Sequence, residues 1–449
     1  MLLRKFFGTD GVRGQANTGA MVPDIIIKLA MAAGSQFIRG DHRHTVVIGK
    51  DTRLSGYMVE SALTSGFTSI GFEVVLVGPL PTPAVALLTK SLRADLGVMI
   101  SASHNPYPDN GIKFFGPDGY KLADVTECAI ECRMDNGDFE LASFDHIGKA
   151  KILHDATGRY IEFAKSTFPK HLRLDGLKIV VDSANGAAYK AAPTVLWELG
   201  AEIIAVGNQP NGTNINEGCG AMHLDLAKKT LLERSADLAV VLDGDADRIV
   251  MIDEKGDELD GDKILALTTA HFIKTKRLSG TSIIATQMSN LGLERYIKSI
   301  GLNLVRTQVG DRYVIDMMRK LHCNVGGEQS GHIILHDYTT TGDGLIAALQ
   351  VLAIMQREDQ PLSELAHIYE TVPQVLHNLR LSSPVNLQES TIQALIKKAE
   401  EKIGDAGYLL VRASGTEPVI RLMAQGDDRD VLNTVISDLA DHLQKERAA

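Results

Sequence analysis

The sequence predicts an α/β fold in which three α/β segments of similar size precede a small α+β unit. The chain has 449 residues, which is too long for one hydrophobic core and indicates about three or four domains. Short β-branched runs alternate with longer helical patterns, which is typical of βαβ units and a largely parallel sheet. The alternation restarts near Lys178 and again near Thr281, as expected for a structural repeat.

The first segment shows this alternation most clearly. We expect strands at 45–49, 73–77 and 96–100, with helices at 55–71 and 82–90 between them. The later segments repeat the pattern, with strands at 178–182, 202–206, 237–242 and 281–285 and a helix at 189–199.

The C-terminal part has a different pattern. Two strands, at 409–412 and 419–422, flank a polar turn, and an amphipathic helix follows over about 429–447. A proline-containing segment at 360–373 joins this unit to the rest of the chain. The sequence therefore predicts a small α+β domain at this end.

Composition excludes several classes of protein. The net charge is −10 with a pI near 5.8, which argues against nucleic acid or an anionic membrane as the main partner. No apolar run approaches the roughly 18 residues of a membrane span, and polar residues interrupt the N-terminus before a signal sequence could form. Four cysteines in so long a chain fit a reducing cytoplasm, where we expect the protein to work.

A serine-rich loop, Ser-Ala-Ser-His-Asn-Pro at 101–106, directly follows a predicted strand. Ligands gather in loops at the carboxyl ends of parallel strands. Ser101 and Ser103 are both candidate nucleophiles, and spacing alone does not choose between them. His104 could orient or deprotonate a serine, and Lys113 is near enough in sequence to share the site. The alternative is a turn capped by its own hydroxyls.

An alternating carboxylate cluster, Asp243, Asp245 and Asp247, follows another predicted strand. If the chain leaves that strand in extended form, the three side chains point the same way. Close carboxylates repel one another, so a divalent cation such as Mg²⁺ would stabilise them. An EF-hand is excluded because Arg248 stands where its loop needs glycine. The alternative is a solvated acidic turn.

Two further loops carry polar groups suited to a sugar phosphate. The turn at 412–418, followed by Arg421, combines hydroxyl groups, a glycine and guanidinium groups, which together suit phosphate binding. The alternative is a polar hairpin turn with no ligand. In the loop at 326–332, glycines flank Glu328 and Ser330, which could approach a polyhydroxyl ligand. His332 is either a base or a hydrogen-bonding neighbour. A dinucleotide-like pattern at 342–347 lacks the expected context, and we assign it no binding role.

These four loops, in this order over the full chain, resemble those of the α-D-phosphohexomutase superfamily. The N-terminal sequence Phe-Gly-Thr-Asp-Gly-Val-Arg-Gly at 7–14, together with 327–332 and 412–418, is most similar to the branch that acts on glucosamine phosphates. The resemblance implies three similar α/β domains and a smaller fourth one around a central cleft. We expect the domains at 1–150 for the serine loop, 151–253 for the metal loop, 254–368 for sugar recognition and 369–449 for phosphate binding.

The resemblance also implies roles for individual residues. It places a phosphoryl group on Ser103 and one Mg²⁺ per chain on Asp243, Asp245 and Asp247, with a Ser103 phosphoryl oxygen completing the shell. The other catalytic residues would be His104, Lys113, Arg13 and Arg248. The substrate-binding residues would be Glu328, Ser330, His332, Arg412, Ser414, Gly415, Thr416 and Arg421.

The implied reaction converts D-glucosamine 6-phosphate to α-D-glucosamine 1-phosphate through a sugar 1,6-bisphosphate, which also serves as primer. This reaction would feed amino-sugar nucleotide and cell-wall precursor synthesis. The expected binding partner is then a hexosamine phosphate substrate, and we expect no binding to nucleic acid or to a membrane. The resemblance leaves open whether the chain forms a homodimer. Three alternatives remain: a phosphomannomutase or phosphoglucomutase of the same superfamily, a sugar phosphatase, and a non-catalytic sugar-phosphate sensor.

Overall fold

The computed structural model describes residues 4–8, 10–380, 386–404, 406–413 and 419–448. These residues form four sheets of six, five, four and three strands, which follow one another along the chain. The first three sheets are mixed and covered by helices, and the last is an antiparallel sheet beside two long helices. The predicted fold class is therefore confirmed.

The first sheet has the strand order β1-β5-β4-β2-β3-β6. Side chains alternate between its two faces: Val46 and Ile48 pack with one cluster of buried residues, and Val47 between them packs with another. Its elements are β1 (Val12–Gln15), α1 (Pro23–Phe37), β2 (Thr45–Lys50), α2 (Gly56–Ser69), β3 (Glu73–Pro79), α3 (Thr82–Ser91), β4 (Leu96–Ile100), β5 (Asp109–Phe115), α4 (Asp124–Asn136) and β6 (Ala150–Ile152).

The second sheet has the order β11-β10-β9-β7-β8. β9 is buried along its whole length, which explains its uninterrupted apolar sequence. The elements are α5 (Ala156–Ser166), β7 (Lys178–Asp182), α6 (Ala191–Glu198), β8 (Glu202–Val206), α7 (Asp225–Arg234), β9 (Leu238–Leu242), β10 (Ile249–Asp253) and β11 (Glu258–Leu259).

The third sheet has the order β13-β12-β14-β15 and packs against α11, which is buried over most of its length. The elements are α8 (Gly261–Lys274), β12 (Ser282–Thr286), α9 (Leu291–Ser299), β13 (Asn303–Thr307), α10 (Asp311–Leu321), β14 (Val325–Gly327), β15 (Ile333–Leu335), α11 (Gly344–Glu358) and α12 (Leu362–Ala366).

The fourth sheet has the order β16-β18-β17. Leu422 at its centre and Leu432 on the last helix belong to one separate buried cluster, so this unit has its own core. The elements are β16 (Gln374–Arg380), α13 (Ser390–Ile403), β17 (Tyr408–Ala413), β18 (Val419–Gln425) and α14 (Arg429–Ala448).

The prediction of largely parallel sheets is correct for only part of each of the first three sheets. β3, β2 and β4 are parallel neighbours, as are β8, β7 and β9, but β5 and β10 pair antiparallel beside them. A short turn, rather than a crossover helix, connects β9 to β10, and a hairpin-like connection of this length returns the chain antiparallel. The aspartate loop lies in this turn, and the serine loop lies in the connection from β4 to its antiparallel neighbour β5.

Candidate active site where the domains meet

The serine loop begins directly after β4 and is held by its own first residue. The Ser101 hydroxyl donates a hydrogen bond to Asp51 Oδ2 at 2.6 Å, and its oxygen accepts one from the Ser103 backbone N–H at 2.9 Å. Ser103 has a φ of 54°, in the left-handed region, and is 1% exposed. Ser101 is therefore engaged within its own domain, whereas Ser103 is free to face the second domain.

Ser103 and Asp243 are 140 positions apart in sequence and meet directly. The Ser103 hydroxyl donates a hydrogen bond to Asp243 Oδ2 at 2.5 Å, and both side chains are buried. The two sequence motifs that point to phosphoryl transfer thus lie on opposite sides of one interdomain contact. A phosphate on Ser103 would stand beside the aspartates, where a cation can act on it.

The three aspartates come together through a turn, so the extended exit from β9 considered from sequence is wrong. Ala246 has a φ of 57°, and its backbone N–H donates to the Asp243 carbonyl at 3.1 Å. The tight reversal into β10 gathers oxygens of Asp243, Asp245 and Asp247 within 4.8 Å of one another. The cluster therefore forms by chain reversal rather than by strand alternation.

The charge within the cluster is only partly balanced by protein groups. Burial and the neighbouring Asp247 and Asp245 carboxylates raise the pKa of Asp243 to about 8. Burial also acts to raise the pKa of Asp247, but Lys113 and His332 outweigh it and hold that pKa well below its usual range. Asp245 Oδ1 and Asp247 Oδ1 are buried without a hydrogen-bond partner among the described residues. Such acceptor-only oxygens fit a divalent cation with oxygen preference.

Lys113, on β5, provides the nearest positive charge. Its Nζ lies 2.8 Å from Asp245 Oδ2, 3.3 Å from Asp247 Oδ2 and 3.3 Å from Asp10 Oδ2. Burial acts to lower the pKa of Lys113, yet Asp10, Asp245 and Asp247 together raise it well above its ordinary value. Lys113 is therefore a cation at neutral pH and neutralises part of the aspartate charge.

Two arginines border the serine and aspartate loops. Arg13, on β1, donates to the Ala102 carbonyl at 3.5 Å and also to Asp10. The Arg248 backbone N–H donates to Asp243 Oδ1 at 3.1 Å, while its Nε lies 3.9 Å from Asp247 Oδ1. Asp247 and Asp243 raise the pKa of Arg248 although burial acts to lower it. Two permanent cations therefore stand beside Ser103 and the aspartates.

The two predicted histidines differ in charge. His104 Nδ1 lies 3.4 Å from Ser103 Oγ, and burial together with Arg248 and Arg13 lowers the pKa of His104 to about 4. His332 is buried between Asp247 and Asp311, at 3.6 and 3.5 Å, and these carboxylates raise its pKa against the effect of burial. His104 is thus a neutral neighbour of the serine, and His332 readily holds a proton.

The third domain contributes the loop after β14. Glu328 Oε1 accepts a hydrogen bond from the Gly310 backbone N–H at 3.0 Å, and the Ser330 hydroxyl donates to Glu328 Oε2 at 3.1 Å. When the His332 ring is neutral, its Nε2 accepts from the Gly342 N–H at 3.0 Å, which keeps the ring in place. The Glu328 backbone N–H also donates to the His332 carbonyl at 3.0 Å, so the sequence-predicted polar residues of this loop form one connected set.

The fourth domain presents a pair of arginines. Arg412 on β17 and Arg421 on β18 are directly opposite in an antiparallel register. Burial and Arg421 lower the pKa of Arg412, while the Glu328 carboxylate acts to raise it. Two guanidinium groups side by side favour an anion between them. The predicted residues Ser414, Gly415 and Thr416 lie outside the described part of the chain.

Sequence reasoning missed several residues that hold this site together. Thr82 donates its hydroxyl to Asp245 Oδ2 at 2.5 Å, and Lys121 pairs with Asp10 and Asp311, each at 2.5 Å. Arg53 is fully buried under the serine loop. Of these residues, Asp10 lies in the N-terminal motif at 7–14 that the sequence analysis noted. Thr82, Lys121 and Arg53 reach the site through tertiary contacts that no sequence motif indicates.

Comparisons with known proteins agree with this architecture. Family models of phosphoglucomutase/phosphomannomutase match the chain in four parts: alpha/beta/alpha domain I at 4–141, domain II at 158–256, domain III at 260–372 and the C-terminal domain at 357–442. The chain therefore belongs to the phosphoglucomutase/phosphomannomutase family. It is an enzyme of the isomerase class that moves a phosphoryl group within its substrate.

Within this family, the chain is similar over nearly its full length to phosphoglucosamine mutases. Identity is 58% to the enzyme of Parvibaculum lavamentivorans, over 97% of this chain and 98% of that one. Identity is 56% to the enzyme of Erythrobacter litoralis, and the match covers 98% of this chain and 97% of that one. These matches confirm the resemblance inferred from the motifs.

Solved structures show the same fold. A phosphoglucomutase/phosphomannomutase family protein from Burkholderia thailandensis matches with a TM-score of 0.82 at 24% identity, covering 97% of this chain and 96% of that one. The Aspergillus fumigatus N-acetylphosphoglucosamine mutase, solved in complex with GlcNAc-6P and magnesium, matches with a TM-score of 0.65 at 18% identity. This match covers 99% of this chain and 96% of that one.

The helices in the described part of the chain include none with the length and hydrophobicity that crossing a lipid bilayer requires.

Proposed function

We propose that this enzyme is a phosphoglucosamine mutase that interconverts D-glucosamine 6-phosphate and α-D-glucosamine 1-phosphate. One observation carries the proposal: the Ser103 hydroxyl lies 2.5 Å from Asp243 Oδ2 across a domain boundary. That contact combines a hydroxyl that can hold phosphate with carboxylates that can hold a cation. The identity of 54–58% to full-length phosphoglucosamine mutases supports the choice of substrate.

The proposed reaction has two phosphoryl transfers. In the first, O1 of the bound 6-phosphate attacks the phosphorus on Ser103, the bond from phosphorus to Ser103 Oγ breaks, and a 1,6-bisphosphate forms. The proton of the O1 hydroxyl passes to Ser103 Oγ, so atoms and charge balance. The bisphosphate then reorients in the site, Ser103 Oγ attacks the phosphorus on O6, and the bond from that phosphorus to O6 breaks. The proton of the Ser103 hydroxyl passes to O6, which leaves the 1-phosphate with a free 6-hydroxyl and the phosphoryl group again on Ser103. A sugar 1,6-bisphosphate primes the enzyme by phosphorylating Ser103.

The protein residues have separate tasks in these steps. Arg13 and Arg248 balance the charge of the transferring group, which is most of what such catalysis requires. Lys113 and His332 are the candidate acid/base residues, because both side chains lie beside the aspartates that face Ser103. His104 stays neutral and orients Ser103.

The aspartates are proposed to hold one Mg²⁺ per chain. Asp243, Asp245 and Asp247 would be its protein ligands, together with a phosphoryl oxygen on Ser103. The unpartnered buried oxygens of Asp245 and Asp247 support this assignment. When bound, the cation would supply charge neutralisation at the transferring phosphoryl group.

Substrate binding is assigned to the third and fourth domains. Glu328, Ser330 and His332 would contact the sugar hydroxyls. The non-reacting phosphate would be bound by Arg412, Ser414, Gly415, Thr416 and Arg421. We propose domain limits at 1–150, 151–253, 254–368 and 369–449. A fourth domain with its own core supports the movement that a turning bisphosphate requires.

The proposal includes a cellular setting. The product would enter amino-sugar nucleotide and cell-wall precursor synthesis in the cytoplasm, and the small number of cysteines is consistent with that compartment. A homodimer is the assembly we would test first, by light scattering of the purified protein.

Substrate comparison tests the function. Purified enzyme, primed with glucose 1,6-bisphosphate and supplied with Mg²⁺, is given glucosamine, glucose and mannose 6-phosphates in turn. We expect the highest kcat/KM with glucosamine 6-phosphate and no free phosphate. A preference for glucose or mannose would assign the enzyme to the alternative mutases, release of free phosphate would indicate a phosphatase, and no turnover would indicate a sensor.

A further inference from the structure

Asn216 reaches from the second domain into the serine loop of the first. Its Nδ2 donates one hydrogen bond to the Ser103 carbonyl at 2.9 Å and one to the Asn105 carbonyl at 3.0 Å. Both amide hydrogens therefore have acceptors, and this pairing fixes which side-chain atom is the nitrogen. Asn216 is 7% exposed, so water competes little for these bonds.

The second domain holds Asn216 firmly in this position. Asn216 has a φ of 59°, a left-handed conformation that asparagine tolerates better than most residues. Its backbone N–H donates to the Ala184 carbonyl at 2.9 Å. Asp182 accepts from the N–H groups of Ala184 and Gly220, at 2.8 and 2.9 Å, and so ties the loop that carries Asn216 to the loop after β7.

The first domain holds the same carbonyls from the other side. The buried Arg53 donates from Nη2 to the carbonyls of Ser103 and Asn105, at 3.0 and 2.8 Å. Arg53 fixes the loop within its own domain, because Asp51 accepts from Arg53 Nε at 2.8 Å. Asn216 adds hydrogen bonds to the same two carbonyls from the neighbouring domain.

The aspartate loop packs directly against this contact. A Cβ placed on Gly244, between two of the aspartates, would lie 2.5 Å from the Ser103 carbonyl oxygen and 2.9 Å from Asn216 Nδ2. The Asn216 amide, the Ser103 backbone and the aspartate turn are therefore in mutual contact. A shift of the serine loop relative to the second domain would change the distance between Ser103 Oγ and Asp243.

We propose that Asn216 is a positioning residue that sets the distance and direction of Ser103 relative to the aspartates across the domain boundary. The inference rests on the proposed function, because it concerns the same phosphoryl transfer. It assigns Asn216 no contact with substrate. Loss of the amide should therefore slow phosphoryl transfer and leave sugar binding nearly unchanged, since the sugar and phosphate contacts come from the other two domains.

The test measures kcat and KM for glucosamine 6-phosphate, and the rate at which glucose 1,6-bisphosphate phosphorylates Ser103. Asn216→Asp keeps the shape, removes both donors and adds a negative charge. Asn216→Gly removes the side chain without adding charge and keeps the left-handed backbone. We expect kcat and the phosphorylation rate to fall by roughly 10- to 100-fold in both variants, because a misplacement of about 1 Å can cost 10²-fold. KM should stay within about threefold.

Asn214→Asp is the matched control. Asn214 lies in the same loop and its side chain donates to the Gln209 carbonyl at 3.0 Å, away from Ser103. We expect this variant to keep wild-type kcat and phosphorylation rate. Unchanged kcat in both Asn216 variants, or a loss explained entirely by a smaller folded fraction, would overturn the inference. If the wild type does not turn over glucosamine 6-phosphate, the proposed function fails, while the phosphorylation rate of Ser103 still tests Asn216.

Discussion

The Tyr160 hydroxyl lies 3.0 Å from each carboxylate oxygen of Asp343, and this contact joins α5 of the second domain to the first turn of α11 in the third. Asp343 also accepts from the Ile346 backbone N–H at 2.9 Å and so caps α11. Burial is the main reason that the pKa of Asp343 rises to about 7. The two domains are therefore joined by a carboxyl group that titrates near neutral pH.

Asp343 should make the enzyme less stable as pH rises. Because its folded pKa of about 7 exceeds the ordinary value near 3.8, the folded state binds more protons than the unfolded chain between those values. Its contribution is therefore fully present below about pH 4 and is lost as pH rises to about 7. The Asp343→Asn variant keeps the helix cap but has no carboxyl group to titrate. Relative to this variant, the Tm of the wild type should fall by about 2–4 °C when the pH is raised from 5 to 8.

Tyr160→Phe serves as the control for this pH effect. The Tyr160 hydrogen bond lowers the pKa of Asp343, so removing it should move the loss of stability to higher pH. Melting curves of all three proteins, recorded by circular dichroism in buffers of equal ionic strength, give the comparison. A difference in Tm that is independent of pH would contradict a titrating Asp343.

Ser103→Ala should abolish both phosphorylation and mutase activity. Without the hydroxyl there is no atom to carry the phosphoryl group. Ser101→Ala is the comparison, because Ser101 supports the loop through Asp51 and the Ser103 backbone N–H but is not the proposed phosphate carrier. This variant should cost about 1–3 kcal/mol of stability. Mass spectrometry after incubation with glucose 1,6-bisphosphate should detect the phosphate in the wild type and in Ser101→Ala. Turnover by Ser103→Ala would exclude the proposed nucleophile.

Asp245→Asn should weaken metal binding. Loss of one carboxylate charge from a three-aspartate site should raise the Mg²⁺ concentration for half-maximal activity by at least about tenfold, or remove activity altogether. Asp257→Asn, which changes an exposed aspartate beyond β10, should titrate like the wild type. The measurement is initial rate against Mg²⁺ concentration. Identical titrations for Asp245→Asn and the wild type would rule out the aspartates as the metal site.

The sequence predicted those parts of the structure that depend on local pattern. β4 was predicted with its observed bounds, and the predicted C-terminal helix begins at the observed Arg429. Hydrophobic runs and turn residues determine such elements, and both are visible in the sequence. The same local reading located the serine and aspartate loops, because each follows an uninterrupted apolar strand.

The parts that sequence reasoning missed depend on contacts between domains. The amide of Asn216 and the hydroxyl of Thr82 belong to ordinary polar residues, and no spacing rule connects them to Ser103 or Asp245. The choice between Ser101 and Ser103 likewise depends on which hydroxyl faces the second domain. The turn through Ala246 was missed because a strand exit in extended form and a reversal both fit the same residues.

Arg421→Gln should weaken substrate binding more than it slows the chemical step. Arg421 and Arg412 stand opposite each other on β18 and β17, so each contributes charge to one anion site. A hydrogen bond to a charged group contributes about 1.5–3 kcal/mol, which corresponds to a KM increase of roughly 10- to 150-fold for glucosamine 6-phosphate. Phosphate binding is the proposed role of this pair, so kcat should change less.

Lys402→Gln controls for loss of a positive charge from the same domain. Lys402 pairs with Asp438 between α13 and α14, where both side chains are about half exposed. The Lys402→Gln variant should therefore leave KM unchanged. KM is measured at two ionic strengths to separate a direct phosphate contact from a general effect of positive charge on the substrate. Salt screens the long-range effect of an exposed charge strongly and a direct contact less. Equal KM values for Arg421→Gln and Lys402→Gln would remove the arginine pair from the substrate site and leave the fourth domain without its proposed role.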